Sequence, residues 1–95
     1  MSEFEVEITS EGRSGNVIYR EQGSFLSFWW EFSMTGAYIN IPSDENWDNF
    51  CDSSNASWGK GRKPEIVERI ASETKSQKAS TAQIEIQDEW INLYF

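Results

Sequence analysis

Histidine is absent from this chain, and cysteine occurs once, as Cys51. The first absence removes the commonest general base and the commonest metal-binding side chain. The second leaves no internal disulfide and no Cys–His nucleophile pair. Zinc sites are built mainly from Cys and His, so neither metal nor cofactor is expected. Long apolar runs are missing as well. The richest, residues 25–34, is interrupted by Ser27, Glu31 and Ser33 and is too short and too polar to cross a bilayer as a helix. The opening Met-Ser-Glu-Phe-Glu has neither the basic nor the apolar region of a secretory signal. With one cysteine, that reading places the chain in the cytoplasm. Bases are scarce: eight stand against 16 acids, a net charge of −8. Residues 1–50 carry two bases and nine acids, a net of −7, and the remainder is close to balanced. Such a field repels nucleic acid and anionic membranes, and it suits a basic protein partner.

What the chain has in quantity is aromatic surface. Five Trp, six Phe and three Tyr in 95 residues can fill the core of a small single domain, 1–95. Residues 4–8 alternate apolar and acidic side chains, the period of a strand with one wet face. Turn-forming residues at 11–16 and 21–24 separate that strand from those at 17–20 and 25–34, and a break at 35–36 leads into 37–41. Short connections of this kind indicate an antiparallel meander. Leu26, Phe28, Trp30, Phe32 and Met34 share the face assigned to the core. Phe25, Ser27, Trp29, Glu31 and Ser33 share the other, which is either covered by a loop or open for binding.

Pro42 ends the fourth strand, and Ser43 is placed to cap a short helix that buries Trp47, Phe50 and Cys51. The main helix starts at Pro64 and turns Ile66, Val67, Ile70 and Ala71 inward. Residues 82–87 and 90–95 read as two further strands, and the last could be an edge that pairs with a second copy. The expected class is α+β: a four-strand meander plus C-terminal strands, with one main and one short helix on one face of an antiparallel sheet.

Candidate chemistry is thin. No Gly-x-Ser-x-Gly element is present, and Gly59-Lys60-Gly61 lacks the following Ser or Thr of a phosphate loop. Asp44, Asn46 and Asp48 imitate a calcium loop, but its sixth position is Asn49 and its twelfth Asn55. Glu31 lies among aromatics, where partial burial could raise its pKa, but a glycosidase would need a second carboxylate facing it, and with 16 acids such a pair can arise by chance. Two binding constellations remain. Trp29 and Glu31 share the polar face of their strand. Trp58 stands beside Lys60, Arg62 and Lys63, three cations before a helix N-terminus that could hold an anion.

Ile18-Tyr19-Arg20-Glu21 and Phe28-Trp29-Trp30-Glu31-Phe32, followed by Trp58, Gly61-Arg62-Lys63, Glu65-Ile66 and Trp90-Ile91, resemble a pattern in small uncharacterised bacterial proteins. The likeness spans residues 17–93 and implies a cytosolic bacterial fold without an assigned activity. Acidity, aromatic surplus and missing catalytic apparatus together lead to the expectation of a non-catalytic protein-binding module, monomeric or weakly dimeric. It would be similar to the acidic immunity proteins that neutralise basic bacterial toxins. The alternative expectation is a small-molecule or anion-binding protein using the 60–63 loop.

Overall fold

A computed structural model describes residues 4–95; residues 1–3, on which the leader reading partly rests, lie outside the described residues. Four strands come first: β1 (Phe4–Glu11), β2 (Ser14–Glu21), β3 (Ser24–Ser33) and β4 (Gly36–Asn40). Helix α1 (Asp44–Ser53), a 3-10 turn (Ser57–Gly59) and helix α2 (Lys63–Lys78) follow, then β5 (Gln83–Ile86) and β6 (Trp90–Tyr94). The six strands form one sheet in the order β1-β2-β3-β4-β6-β5, and every neighbouring pair is antiparallel. This is the α+β architecture with a meander and C-terminal strands.

The first two hairpins are tighter than the turn-forming residues suggested, because the strands run on until two residues remain. At the β2–β3 turn both Gln22 (φ 50°) and Gly23 (φ 84°) adopt the left-handed conformation. That combination matches the right-handed twist of the flanking strands. Gly15 serves a different need: a Cβ there would lie 1.9 Å from the Thr9 carbonyl oxygen, so only glycine lets β1 cross β2 this closely.

Side chains alternate across the sheet, and the two faces differ completely. The inner face carries Val6, Val17, Tyr19, Leu26, Phe28, Trp30, Ile39, Ile91 and Leu93, all buried. Helix α1 lays Trp47 in a stacked arrangement on Phe28, with ring centroids 6.2 Å apart, and Phe50 meets the same ring at 5.4 Å. Helix α2 contributes Ile66, Val67, Ile70 and Ala71. Cys51 is wholly buried in this core, where desolvation pushes its thiol up to about 11.

Three expectations need correction. Phe32 and Met34 are exposed, at 38% and 95%, because the cover of the helices ends at Trp30; Phe32 meets the Trp30 ring in a T-shaped arrangement, and Met34 lies in the β3–β4 turn. Ser43 stands at the N-cap position of α1 as expected, but it does not cap the helix with its side chain. Asp88 does so from across the fold, its Oδ1 accepting the Asp44 N–H at 2.7 Å. The C-terminal strand is not an edge: β6 lies between β4 and β5, and the edges are β1 and β5.

Candidate binding face

The cations of the basic loop each pair with carboxylates of the same chain. Arg62 leaves the N-terminus of α2 and grips Glu21 with both terminal nitrogens, at 2.6 and 3.1 Å. Its Nε donates to Glu65 at 2.8 Å. Arg69 donates to the Tyr19 hydroxyl at 2.9 Å and pairs with Glu65, and the Tyr19 hydroxyl donates to Glu21 at 2.6 Å. Glu21 is therefore a buried carboxylate with its acceptor sites filled, and the Arg62 guanidinium holds its carboxyl at about 2. Lys63 is nearly buried; its ammonium meets Asp44 at 2.7 Å, the Asp88 carbonyl at 2.7 Å and the Asp88 carboxylate at 3.0 Å. Lys60 pairs with Asp52 at 3.1 Å, which raises its pKa.

An anion site needs cations free to turn to a ligand. Here all three are matched by the chain's own carboxylates, and the Gly61 N–H donates to Asp48. Trp58 belongs to the same construction. It is half-buried, packs against Tyr19 at 6.0 Å, and donates its indole N–H to Ser24 Oγ at 2.7 Å.

The outer face of the sheet is different in kind. No helix covers it, and among the described residues that alternation places there all but Gly36 are at least partly exposed. Phe25 is 53% exposed, Trp29 44% and Trp90 36%. Register brings together residues far apart in the chain, since Glu31 lies opposite Tyr38, Tyr38 opposite Asn92, and Asn40 opposite Trp90. A row of rings results: Trp29 meets Tyr38 edge-on at 6.1 Å, and Tyr38 meets Trp90 edge-on at 5.1 Å. The Tyr38 hydroxyl donates to Glu31 Oε2 at 2.6 Å, and this bond raises the tyrosine pKa. Beside the row, Tyr38, Gln87, Trp90 and Asn92 line a shallow depression of about 370 Å³.

Hydrogen bonding divides the five tryptophans. Trp30 donates its indole N–H to the Thr9 carbonyl at 2.8 Å, Trp47 donates to the Gly59 carbonyl at 2.8 Å, and Trp58 donates to Ser24. Trp29 and Trp90 have no acceptor among the described residues. Charge divides in the same way. Among the described strand residues, Glu5, Glu7, Glu11, Glu31 and Glu85 share the outer face with a single cation, Arg20, which is held by Glu7 at 2.6 Å and Glu5 at 3.5 Å. Glu31 and Glu85 enter no ion pair among the described residues.

Of the residues singled out in the sequence, Trp29 and Glu31 are thus side by side on an open surface, while Trp58 and Arg62 belong to the Glu21 network, Lys63 pairs with Asp44 and Asp88, and Lys60 is exposed and pairs with Asp52. Tyr38, Trp90 and Asn92 complete the face and were not identified from the sequence; the polar–apolar alternation around Tyr38 and Trp90 was the available signal. Comparisons with protein families, with curated proteins and with solved structures each return no match. Among the described residues no helix is long and apolar enough to cross a membrane.

Proposed function

We propose that this chain is a non-catalytic binding module whose open sheet face receives a basic protein partner in the cytosol. One observation carries the reading: the two tryptophans without a hydrogen-bond acceptor among the described residues stand on the same uncovered face as Glu31 and Glu85, which enter no ion pair among those residues. Exposed Trp and Tyr rings supply contact area at low entropic cost, and their N–H and O–H groups can be satisfied by a partner. Surplus negative charge beside them speeds encounter with a basic surface and disfavours acidic ones. An immunity-like role, with a basic bacterial toxin as the partner, is the biological setting this chemistry fits.

The reading is tested by capturing basic proteins on immobilised chain at low salt, in parallel with the Trp29→Ala/Trp90→Ala double variant. A partner held by the native face, lost from the double variant and released as ionic strength rises supports it. A partner held equally by both forms contradicts it.

A further inference from the structure

The two edges of the sheet are not equally protected. At β1 the side chain of Gln77, from α2, donates to the Val6 carbonyl at 3.2 Å. At β5 no such cover exists among the described residues. The Gln87 N–H donates to the Trp90 carbonyl at 2.8 Å, which fixes the hydrogen-bonding phase of the β5–β6 ladder. Alternation then directs the N–H and C=O groups of Glu85 toward β6 and those of Ile84 and Ile86 toward the open side. The strand contains neither proline nor lysine to blunt it, and Ile86 is 48% exposed.

A groove of about 400 Å³ runs beside this edge, with Pro64, Val67 and Ile86 as its apolar lining and Glu68 at its rim. The one cation there, Lys63, is already matched by Asp44 and Asp88, whereas Glu68 has no partner among the described residues. On the other side of the same edge stands Glu85, exposed on the outer face.

We infer that β5 is a strand-addition site, and that its occupant is an extended segment of the basic partner in which apolar and basic residues alternate. The inference rests on the basic-partner reading and adds how that partner docks. Side chains of an added strand alternate in direction every ~3.3 Å. Apolar ones on the inner side enter the groove over Val67 and Ile86, while basic ones on the outer side lie beside Glu85 and extend onto the aromatic face. Ile84 and Ile86 supply the main-chain hydrogen bonds, the usual source of affinity in this mode of recognition. A second copy is a poorer occupant, because antiparallel pairing of β5 with itself brings Glu85 against its own counterpart.

The probe is the blocked heptapeptide Lys-Val-Lys-Val-Lys-Val-Lys, compared with its Glu-Val counterpart and titrated into the full chain. The expected result is saturable binding of the lysine peptide at least about tenfold tighter than the glutamate peptide, a difference well within what one anchored pocket supplies. Amide exchange at Ile84 and Ile86 should slow in the complex. Ile86→Pro removes an N–H that no internal partner uses, a substitution edge strands tolerate, and should weaken binding by at least about tenfold. The exchange measurement on the native chain decides the matter even if that variant folds poorly.

Unchanged exchange at Ile84 and Ile86 in the saturated complex overturns the inference. If the Trp29 and Trp90 indole signals still respond in that case, the open-face reading stands and only the edge site falls. If neither peptide binds, both fall. A concentration-dependent dimer abolished by Ile86→Pro would assign the edge to a second copy and overturn the inference as well.

Discussion

The two faces of one sheet use the same kinds of residue to opposite ends. On the inner face Tyr19 and Glu21 meet Arg62 and Arg69 in a closed network, and Trp30 and Trp47 spend their indole N–H groups on backbone carbonyls. On the outer face Tyr38 meets Glu31, and among the described residues Trp29 and Trp90 keep their N–H groups and no cation pairs with Glu31. Composition alone would treat the two sets alike. The difference lies in satisfaction: a buried polar group left unpaired costs folding free energy, so the fold completes its own networks and leaves open those that face water. Unspent donors and acceptors beside large exposed rings therefore mark where a partner can be held.

The comparison predicts effects of graded size. The largest belongs to the inner network. Glu21→Gln removes the charge that Arg62 and Arg69 share and should cost about 3 kcal/mol in denaturant unfolding, the usual scale for breaking a buried pair. The same residue sets an acid limit. Its folded pKa of about 2 lies below its ordinary value of 4.5, so the unfolded chain binds more protons between them. Its contribution is fully present above pH 4.5 and is lost as the pH falls toward 2, and Glu21→Gln should flatten that part of the pH–stability curve.

Outer-face substitutions should split stability from binding. Trp29→Ala and Trp90→Ala should each weaken partner binding by about 2 kcal/mol while changing unfolding by no more than about 1 kcal/mol. Asp88→Ala, which uncaps α1 and removes one of the two carboxylates paired with Lys63, should lower the melting temperature by less than Glu21→Gln does and leave binding through the outer face unchanged. The smallest effect is expected for Arg20→Gln, whose exposed pairs with Glu5 and Glu7 are worth under about 1 kcal/mol, read as a melting difference that added salt erases.

Local periodicity was enough to find the strands, the α2 stripe and the shared face of Trp29 and Glu31, because alternation is a property of consecutive residues. Everything that needed a partner distant in sequence was hidden. Arg62 reads as a free cation until Glu21, 41 residues earlier, folds beside it, and Lys63 reads so until Asp88, 25 residues later, arrives. The aromatic row is of the same kind, since Trp90 joins Tyr38 only when β6 inserts beside β4. Phe32 and Met34 follow the pattern of a core strand perfectly, and only the reach of the helices shows that the core stops at Trp30. The capping of α1 by Asp88 in place of Ser43 shows how a tertiary contact can take over a role that local sequence had an adequate candidate to fill.

The most direct measurement is the indole N–H region of a ¹H–¹⁵N correlation spectrum, followed while a basic peptide is titrated in at low salt. The five tryptophans supply five reporters, three bonded internally and two facing solvent. The account predicts that the Trp29 and Trp90 signals shift saturably and return as salt is added, while those of Trp30, Trp47 and Trp58 stay in place. Shifts concentrated at Trp58, or no shift at Trp29 and Trp90, would contradict the assignment of the open sheet face as the binding surface.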